Sequence, residues 1–203
     1  MKLHNSMGPN PHVVRMFAAE KGIELTLEEV DLMAGENRQE AFGKKNPSGQ
    51  LPCLELDDGT CISEITAICE YLEELNPNNP LIGNNALERA ETRMWMRKVD
   101  LGICEPLANG FRFAEGLAIF KDRMITLPES SEGLKSIAQD RITWMDTQLV
   151  DKRYICGDRF SLADILLYCF MSFGAAVGQS INPANANINQ WYEHMAERAS
   201  SQA

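Results

Sequence analysis

The stretch Asn46-Pro47-Ser48-Gly49-Gln50-Leu51-Pro52-Cys53-Leu54-Glu55-Leu56-Asp57-Asp58-Gly59-Thr60-Cys61-Ile62-Ser63-Glu64-Ile65-Thr66-Ala67-Ile68-Cys69-Glu70-Tyr71-Leu72 changes pattern three times. Asn46 to Gly49 holds only turn-forming residues and reads as a loop. Leu51 to Leu56 and Thr60 to Ile62 flank Asp57-Asp58-Gly59, the signature of a β-hairpin. Glu64 to Leu75 places Ile65, Ile68, Cys69 and Leu72 on one face at helical spacing. The segment therefore predicts loop, hairpin and amphipathic helix in succession.

Working outward toward the start, Lys2 to Asn5 reads as a short strand. Ser6-Met7-Gly8-Pro9-Asn10-Pro11 is turn-rich, with Pro11 suited to a first helical turn. A helix is predicted over His12 to Lys21, stopped by Gly22. Glu24 to Leu32 alternates imperfectly, as a strand does. Ala34 to Lys45 is polar and weakly helical. The order over the first 75 residues is βαβαββα. Residues 76–85 then hold two prolines, one glycine and five asparagines, which marks a linker.

Beyond the linker the strand signals stop. Ala86 to about Gly116 reads as a long helical tract, interrupted near Pro106 and Gly110. Leu117 to Met124, Ser131 to about Lys152, Ser161 to Val177 and Ile188 to Glu197 follow as helices. The Ser161 to Val177 segment is apolar nearly all round and reads as the central buried helix. Ser161 and Asp164 fit a capping box at its start. Trp95, Trp144 and Trp191 fall in helical patterns and read as packing residues. The organisation is an α/β unit (1–78), a linker (79–85) and an all-α unit (86–203).

The 203-residue chain has a net charge of −10, and its 44% hydrophobic and 24% charged residues are ordinary for a globular protein. Residues 1–80 carry 6 basic and 14 acidic side chains, and residues 81–203 carry 13 and 15, so the acidity is concentrated in the first unit. Clustered Lys and Arg are missing, which disfavours nucleic acid or an anionic membrane as partner. The apolar run from Ile165 to Gly178 is too short for a membrane span. Met1 to Ser6 has no long apolar region of a secretory signal. The six cysteines show neither CxxC nor paired ligand spacing. They read as reduced, mostly buried thiols of a cytoplasmic protein, with no metal.

Asn46-Pro47-Ser48-Gly49-Gln50-Leu51-Pro52, then Leu54, Asp58-Gly59, Ile62, Glu64, Ala67-Ile68 and Tyr71-Leu72, resembles the N-terminal signature of the cytosolic glutathione transferases. Gly157-Asp158-Arg159-Phe160-Ser161-Leu162-Ala163-Asp164 resembles their second signature. One motif falls in each unit, and the resemblance runs over the whole chain. It implies a thioredoxin-like N-terminal domain, a helical C-terminal domain, glutathione as co-substrate, a small hydrophobic electrophile as second substrate, and a homodimer.

By that resemblance Pro52 would be a cis-proline that turns the Leu51 backbone toward the cysteinyl unit of glutathione, as an added strand would pair. Glu64 would meet the γ-glutamyl ammonium, and the following helix N-terminus its carboxylate. Gln50 and Lys45 would add polar contacts, with Lys45 at the glycyl carboxylate. The family usually has Ser after this Glu, and here Ile65 stands in its place. The backbone N–H of Ile65 remains, but one donor is lost. A purely structural use of Pro52 and Glu64 fits the same residues.

Transferase chemistry needs a thiolate. Within the family the residue that stabilises it is Tyr, Ser, Cys or Asn/Thr in the loop after the first strand. No Tyr precedes Tyr71, which excludes the Tyr classes, and no Cys precedes Cys53, which excludes a beta-like catalytic cysteine and its mixed disulfide; the resemblance is to the bacterial nu-, beta- and theta-like members. Asn10 and Ser6 are the two candidate donors, with Asn10 preferred by position. The acceptor pocket would draw on Met94, Lys98, Leu107, Phe111 and Phe113. Conjugation of glutathione to an electrophile is the first reading. The alternatives are a glutathione-dependent disulfide reductase that uses no protein cysteine, and a non-catalytic binding protein.

Overall fold

The computed structural model describes residues 1–203. They divide into two compact units, one of residues 1–80 with 199–203 and one of residues 81–198. The expected linker differs from this division. Leu81 and Ile82 are buried and Leu81 O accepts a 2.9 Å bond from Leu162 N, so 81–85 is part of the second unit. The last five residues, which the sequence assigns to the helical unit, fold with the first.

The first unit contains a four-stranded sheet. Its strands are β1 (Lys2–Asn5), β2 (Thr26–Glu29), β3 (Cys53–Glu55) and β4 (Cys61–Ser63), in the order β2-β1-β3-β4. β1 pairs parallel with β2 and antiparallel with β3, and β3–β4 is the expected hairpin. The helices are α1 (Pro9–Lys21), α2 (Glu40–Gly43) and α3 (Ile65–Leu75). The register sets Leu3 opposite Leu54, and both are fully buried, as are Val13, Val14, Phe17, Ile68 and Leu72. Val30, Phe42, Leu51 and Cys53 form a separate buried cluster, with Leu32 and Cys61 against it.

Local chemistry explains most element ends. Gly22 closes α1 with φ 65°, the left-handed conformation that costs glycine least. α1 starts at Pro9, three residues before the expected His12, because proline is tolerated in a first turn that has no hydrogen-bond partner for its N–H. The expected strand over Glu24 to Leu32 shrinks to Thr26–Glu29. Ala34 to Lys45 yields only a 3-10 turn, Glu36–Arg38, and the single turn α2.

The second unit is all helical: α4 (Ala86–Val99), α5 (Glu105–Arg112), α6 (Leu117–Phe120), α7 (Ser131–Gln148), α8 (Leu162–Ala176) and α9 (Ala186–Ala196). α6 is shorter than the expected Leu117 to Met124. Between α4 and α5, Asp100–Cys104 widens into a π-helical turn. Pro106 lies just beyond; it has no N–H for Gly102 and its ring crowds that carbonyl, so the helix widens where the break was expected. α8 is buried along most of its length. Ser161 and Asp164 form the expected capping box. Asp164 also accepts from Ile155 N at 2.8 Å and Trp191 Nε1 at 3.1 Å. Trp95 and Trp191 are buried, and Trp95 packs on Trp144 at 6.0 Å. No helix is long and apolar enough to cross a membrane.

Candidate functional site

The sheet register gathers three segments at one end of the first unit. His4, Cys53 and Ser63 form one cross-strand row. One or two residues further along lie Asn5-Ser6 leaving β1, Leu51-Pro52 entering β3, and Glu64 leaving β4. The N-terminus of α3 follows Glu64 directly. The β1–α1 loop, the proline loop and the α3 start therefore share one sheet end.

The Leu51–Pro52 peptide bond is cis, as the resemblance implies. Leu51 is buried in the Val30–Phe42–Cys53 cluster, so its side chain points into the unit. No backbone hydrogen bond within the chain uses the N–H or C=O of Leu51. This leaves a short open strand edge of the kind an extended peptide can pair with. Gln50 is exposed on the same loop, and its carbonyl accepts from Asn46 Nδ2 at 2.8 Å.

Glu64 occupies the N-cap of α3 with φ 71° and ψ 122°, a conformation a side chain rarely adopts. It is exposed, and its side chain does not cap the helix. Its carbonyl accepts the first helical bond from Ile68 N at 2.9 Å. The N–H groups of Ile65, Thr66 and Ala67 are thus the unpaired donors of the first turn, beside the positive end of the helix dipole. Ile65 is half-buried and adds no polar group.

Ser6 is buried, and its Oγ makes only a long 3.3 Å bond to Met7 O. Gly8 is the N-cap of α1 with φ 132°, so the turn into the helix selects glycine although a Cβ there would meet no atom within 4 Å. Pro9 and Pro11 have no N–H. Asn10, half-buried in the first turn, therefore supplies the one unpaired backbone donor there and a side-chain amide with no hydrogen bond within the chain. His12 lies one residue beyond Pro11, and burial together with Arg15 lowers its pKa.

The Lys45 ammonium has partners within the unit. Its Nζ is 2.5 Å from Glu55 Oε2 and 3.3 Å from His4 Nε2. His4 is buried, packs edge-on against Phe42 at 5.8 Å, and reaches the same Glu55 oxygen at 2.6 Å. This geometry fits a tautomer with the proton on Nε2, so His4 and Lys45 both donate to Glu55. The two donors hold the Glu55 carboxyl down to about 2. Cys53 is fully buried, and burial beside the Cys61 thiol pushes it up to about 12, which makes it an inert thiol. Sequence reasoning missed Glu55 and His4, because only the pairing register of β1 with β3 brings the two side chains together at Lys45.

The acceptor candidates separate within the helical unit. Leu107 and Phe113 are buried in its core. Phe111 is partly exposed and contacts Phe173 and Phe120 edge-on, at 5.2 and 6.3 Å. Met94 is exposed, and Lys98 lies over the Trp95 ring at 4.6 Å.

Fold and site define a class: a thioredoxin-like unit with an open backbone edge beside a cis-proline, followed by an all-helical unit. The family model described as "Glutathione S-transferase, N-terminal domain" matches residues 7–75, and that of the C-terminal domain matches residues 137–199. Glutathione S-transferase 2 of Saccharomyces cerevisiae is 32% identical over 95% of this chain and 84% of its own length. GstA of Escherichia coli O157:H7 is 31% identical over 98% of this chain and 94% of its own. The crystal structure of Gtt2 from Saccharomyces cerevisiae superposes with a TM-score of 0.93 at 30% identity, covering 100% of this chain and 99% of that one. The chain belongs to the glutathione S-transferase family.

Proposed function

We propose that the chain catalyses attack of the glutathione thiolate on a small electrophilic or hydrophobic substrate. One observation carries this reading: the unpaired Leu51 backbone beside a cis-proline, the strained Glu64 at the α3 N-terminus and the partnerless Asn10 amide share one sheet end. Leu51 N–H and C=O pair with the cysteinyl backbone. Glu64 takes the γ-glutamyl ammonium, and the Ile65 and Thr66 N–H groups take its carboxylate. Gln50 adds a polar contact, and Lys45 serves the glycyl carboxylate. The cysteinyl sulfur then faces the start of α1, where Asn10 donates to the thiolate and Ser6 is the alternative donor. No general base is required, because donors and the helix dipole lower the thiol pKa. Met94, Lys98 and Phe111 are the acceptor-contacting residues of this reading, with Leu107 and Phe113 packing behind.

A second reaction fits the same residues. Reduction of a small disulfide by two glutathiones needs no protein thiol, and the inert, buried Cys53 supports a site without one. A protein that binds glutathione without turnover is the third reading, which the loss of a hydroxyl at Ile65 favours. The homodimer typical of the family is part of the first reading. The apolar side chains of Leu87 and Leu101, exposed along one helical tract, support it. Six free cysteines support a cytoplasmic location.

The test is an ultraviolet titration of the bound thiolate, followed by assays with a chlorinated aromatic and with hydroxyethyl disulfide. Conjugation supports the first reading, and disulfide reduction alone supports the second. Binding without a lowered thiol pKa leaves the third. Asn10→Ala is expected to lower turnover about tenfold and to raise the bound thiol pKa, with Ser6→Ala weaker. If both leave turnover unchanged, the donor assignment is wrong.

A further inference from the structure

The last residues of the chain have no apolar signal, yet they are buried against α1. Ser200 and Ser201 are 7% and 3% exposed. Ser201 O lies 3.1 Å from His12 Nε2, and Ala203 O accepts from Arg15 Nε at 3.1 Å. Ser200 Oγ bonds Glu20 Oε1. The contacts run the length of α1, from the turn after Asn10 to the penultimate helical residue. Arg15 is the junction. Its Nη1 donates to Asn5 Oδ1 at 2.5 Å, and Asn5 Nδ2 donates to Glu29 Oε1 at 2.5 Å. The Asn5 carbonyl takes Val30 N at 2.8 Å.

Asn5 and Pro9 are the two ends of the Ser6-Met7-Gly8 loop. The side chains of this loop bond nothing beyond it: Met7 is 88% exposed, and the hydroxyl of the buried Ser6 reaches only Met7 O. The loop's position therefore depends on how its ends are held. At one end Asn5 is fixed to β2 through Glu29 and Val30. At the other, α1 is fixed by its buried face (Val13, Val14, Met16 and Phe17) packed in the core and by the tail along Arg15 and His12. A single guanidinium joins the two, since one edge of Arg15 holds Asn5 and the other holds Ala203.

We propose that Arg15, held by the 199–203 tail, is a positioning residue that sets where Gly8 and Asn10 stand relative to a bound thiol. This rests on the assignment of the thiol site to that loop. Arg15 does not touch the sulfur in this arrangement; it acts through Asn5 and through α1. Lysine at this place presents its three donors from one point on a flexible stem, without the planar fork that fixes the directions toward Asn5 and Ala203, so it should rescue only in part.

The first test uses the unliganded protein and does not depend on catalysis. Amide hydrogen exchange is measured at Val30 and His12, whose N–H groups bond Asn5 O and Gly8 O at the two ends of the loop, in the native chain, in Arg15→Ala, in Arg15→Lys, and in a chain lacking residues 199–203. Exchange at these two amides is expected to rise about tenfold in Arg15→Ala and in the shortened chain, and by less in Arg15→Lys, with α7 and α8 unchanged. Unchanged exchange overturns the proposal. The second test asks what the positioning does. Arg15→Ala should lower kcat about 3- to 30-fold, shift KM for glutathione by less than about twofold, and move the bound thiol pKa upward. A rise in KM alone, or a loss of activity that tracks only loss of folded protein, overturns the positioning role. If Arg15→Ala raises the thiol pKa while Asn10→Ala and Ser6→Ala do not, the donor assignment fails and the positioning role stands.

Discussion

The Lys45 ammonium lies 2.5 Å from the Glu55 carboxylate, so the cation assigned to the glycyl end of glutathione has an internal partner already. Any ligand carboxylate must compete with Glu55 for it. The Lys45 side chain is 32% exposed, so the competition occurs at a partly solvated pair worth about 1 kcal/mol or less. Glu55→Gln should free Lys45 and tighten glutathione about 2- to 5-fold by calorimetry, while Lys45→Ala weakens it by a similar factor. A glutathione analogue amidated at the glycyl end should respond to neither change. Equal responses from glutathione and the amide would remove Lys45 from the ligand set.

The two strongly shifted carboxyls act on stability with opposite sign. Glu55 falls from 4.5 to about 2 on folding, through hydrogen bonds from Lys45 and His4. Its contribution is fully present above pH 4.5 and is lost as pH drops toward 2. With a quarter of the side chain exposed, that amounts to about 1–2 kcal/mol. Asp164 instead rises from 3.8 to about 6, because burial outweighs its four donors. The folded state then binds the extra proton, so stability declines as pH rises from 3.8 to 6 and is flat above. All three tryptophans lie in the helical unit, so denaturant midpoints by tryptophan fluorescence should fall across that window. Exchange at the Leu54 amide should report the loss in the sheet below pH 4.5, and Glu55→Gln should flatten it.

Much of the first unit was legible because its signals are local. The hairpin rests on Asp58-Gly59, the α1 stop on Gly22 and the α8 start on Ser161 and Asp164, each a residue whose own chemistry selects the turn. The partners of Lys45 were not legible, since only the β1–β3 register brings His4 and Glu55 together. Leu107 and Phe113 share a helical tract with Phe111, and periodicity alone does not separate a core position from a half-exposed one. The docking of Ser200 and Ser201 left no trace in hydropathy, because hydroxyls and backbone carbonyls make those contacts. The widened turn at Asp100–Cys104 was readable only as an interruption near Pro106, since proline forbids the regular bond without dictating what replaces it.

Ile65→Ser restores a hydroxyl in the first turn of α3. One added hydrogen bond to a carboxylate is worth about 0.5–1.5 kcal/mol net, so glutathione should bind about 2- to 12-fold tighter. The comparison ligand is a tripeptide without the γ-glutamyl α-carboxylate, whose affinity should not improve. If it gains as much as glutathione, the α3 N-terminus does not hold that carboxylate.

Glu64 stands at φ 71°, where a side chain is strained and glycine is not. A non-glycine residue held there costs about 1–2 kcal/mol, and glycine returns about 0.5–1 kcal/mol of that as chain entropy. Glu64→Gly should therefore leave thermal stability unchanged or raise it by a few degrees. The same change removes the carboxylate proposed to meet the γ-glutamyl ammonium, so affinity for glutathione should fall at least about tenfold. A residue kept for folding would show the reverse, with Tm falling and binding intact. Glu64→Gln separates charge from conformation: it keeps the strain and loses only the ion pair, so it should lower affinity without the gain in Tm. Affinity preserved in both variants would mean that the strain at Glu64 serves something other than glutathione.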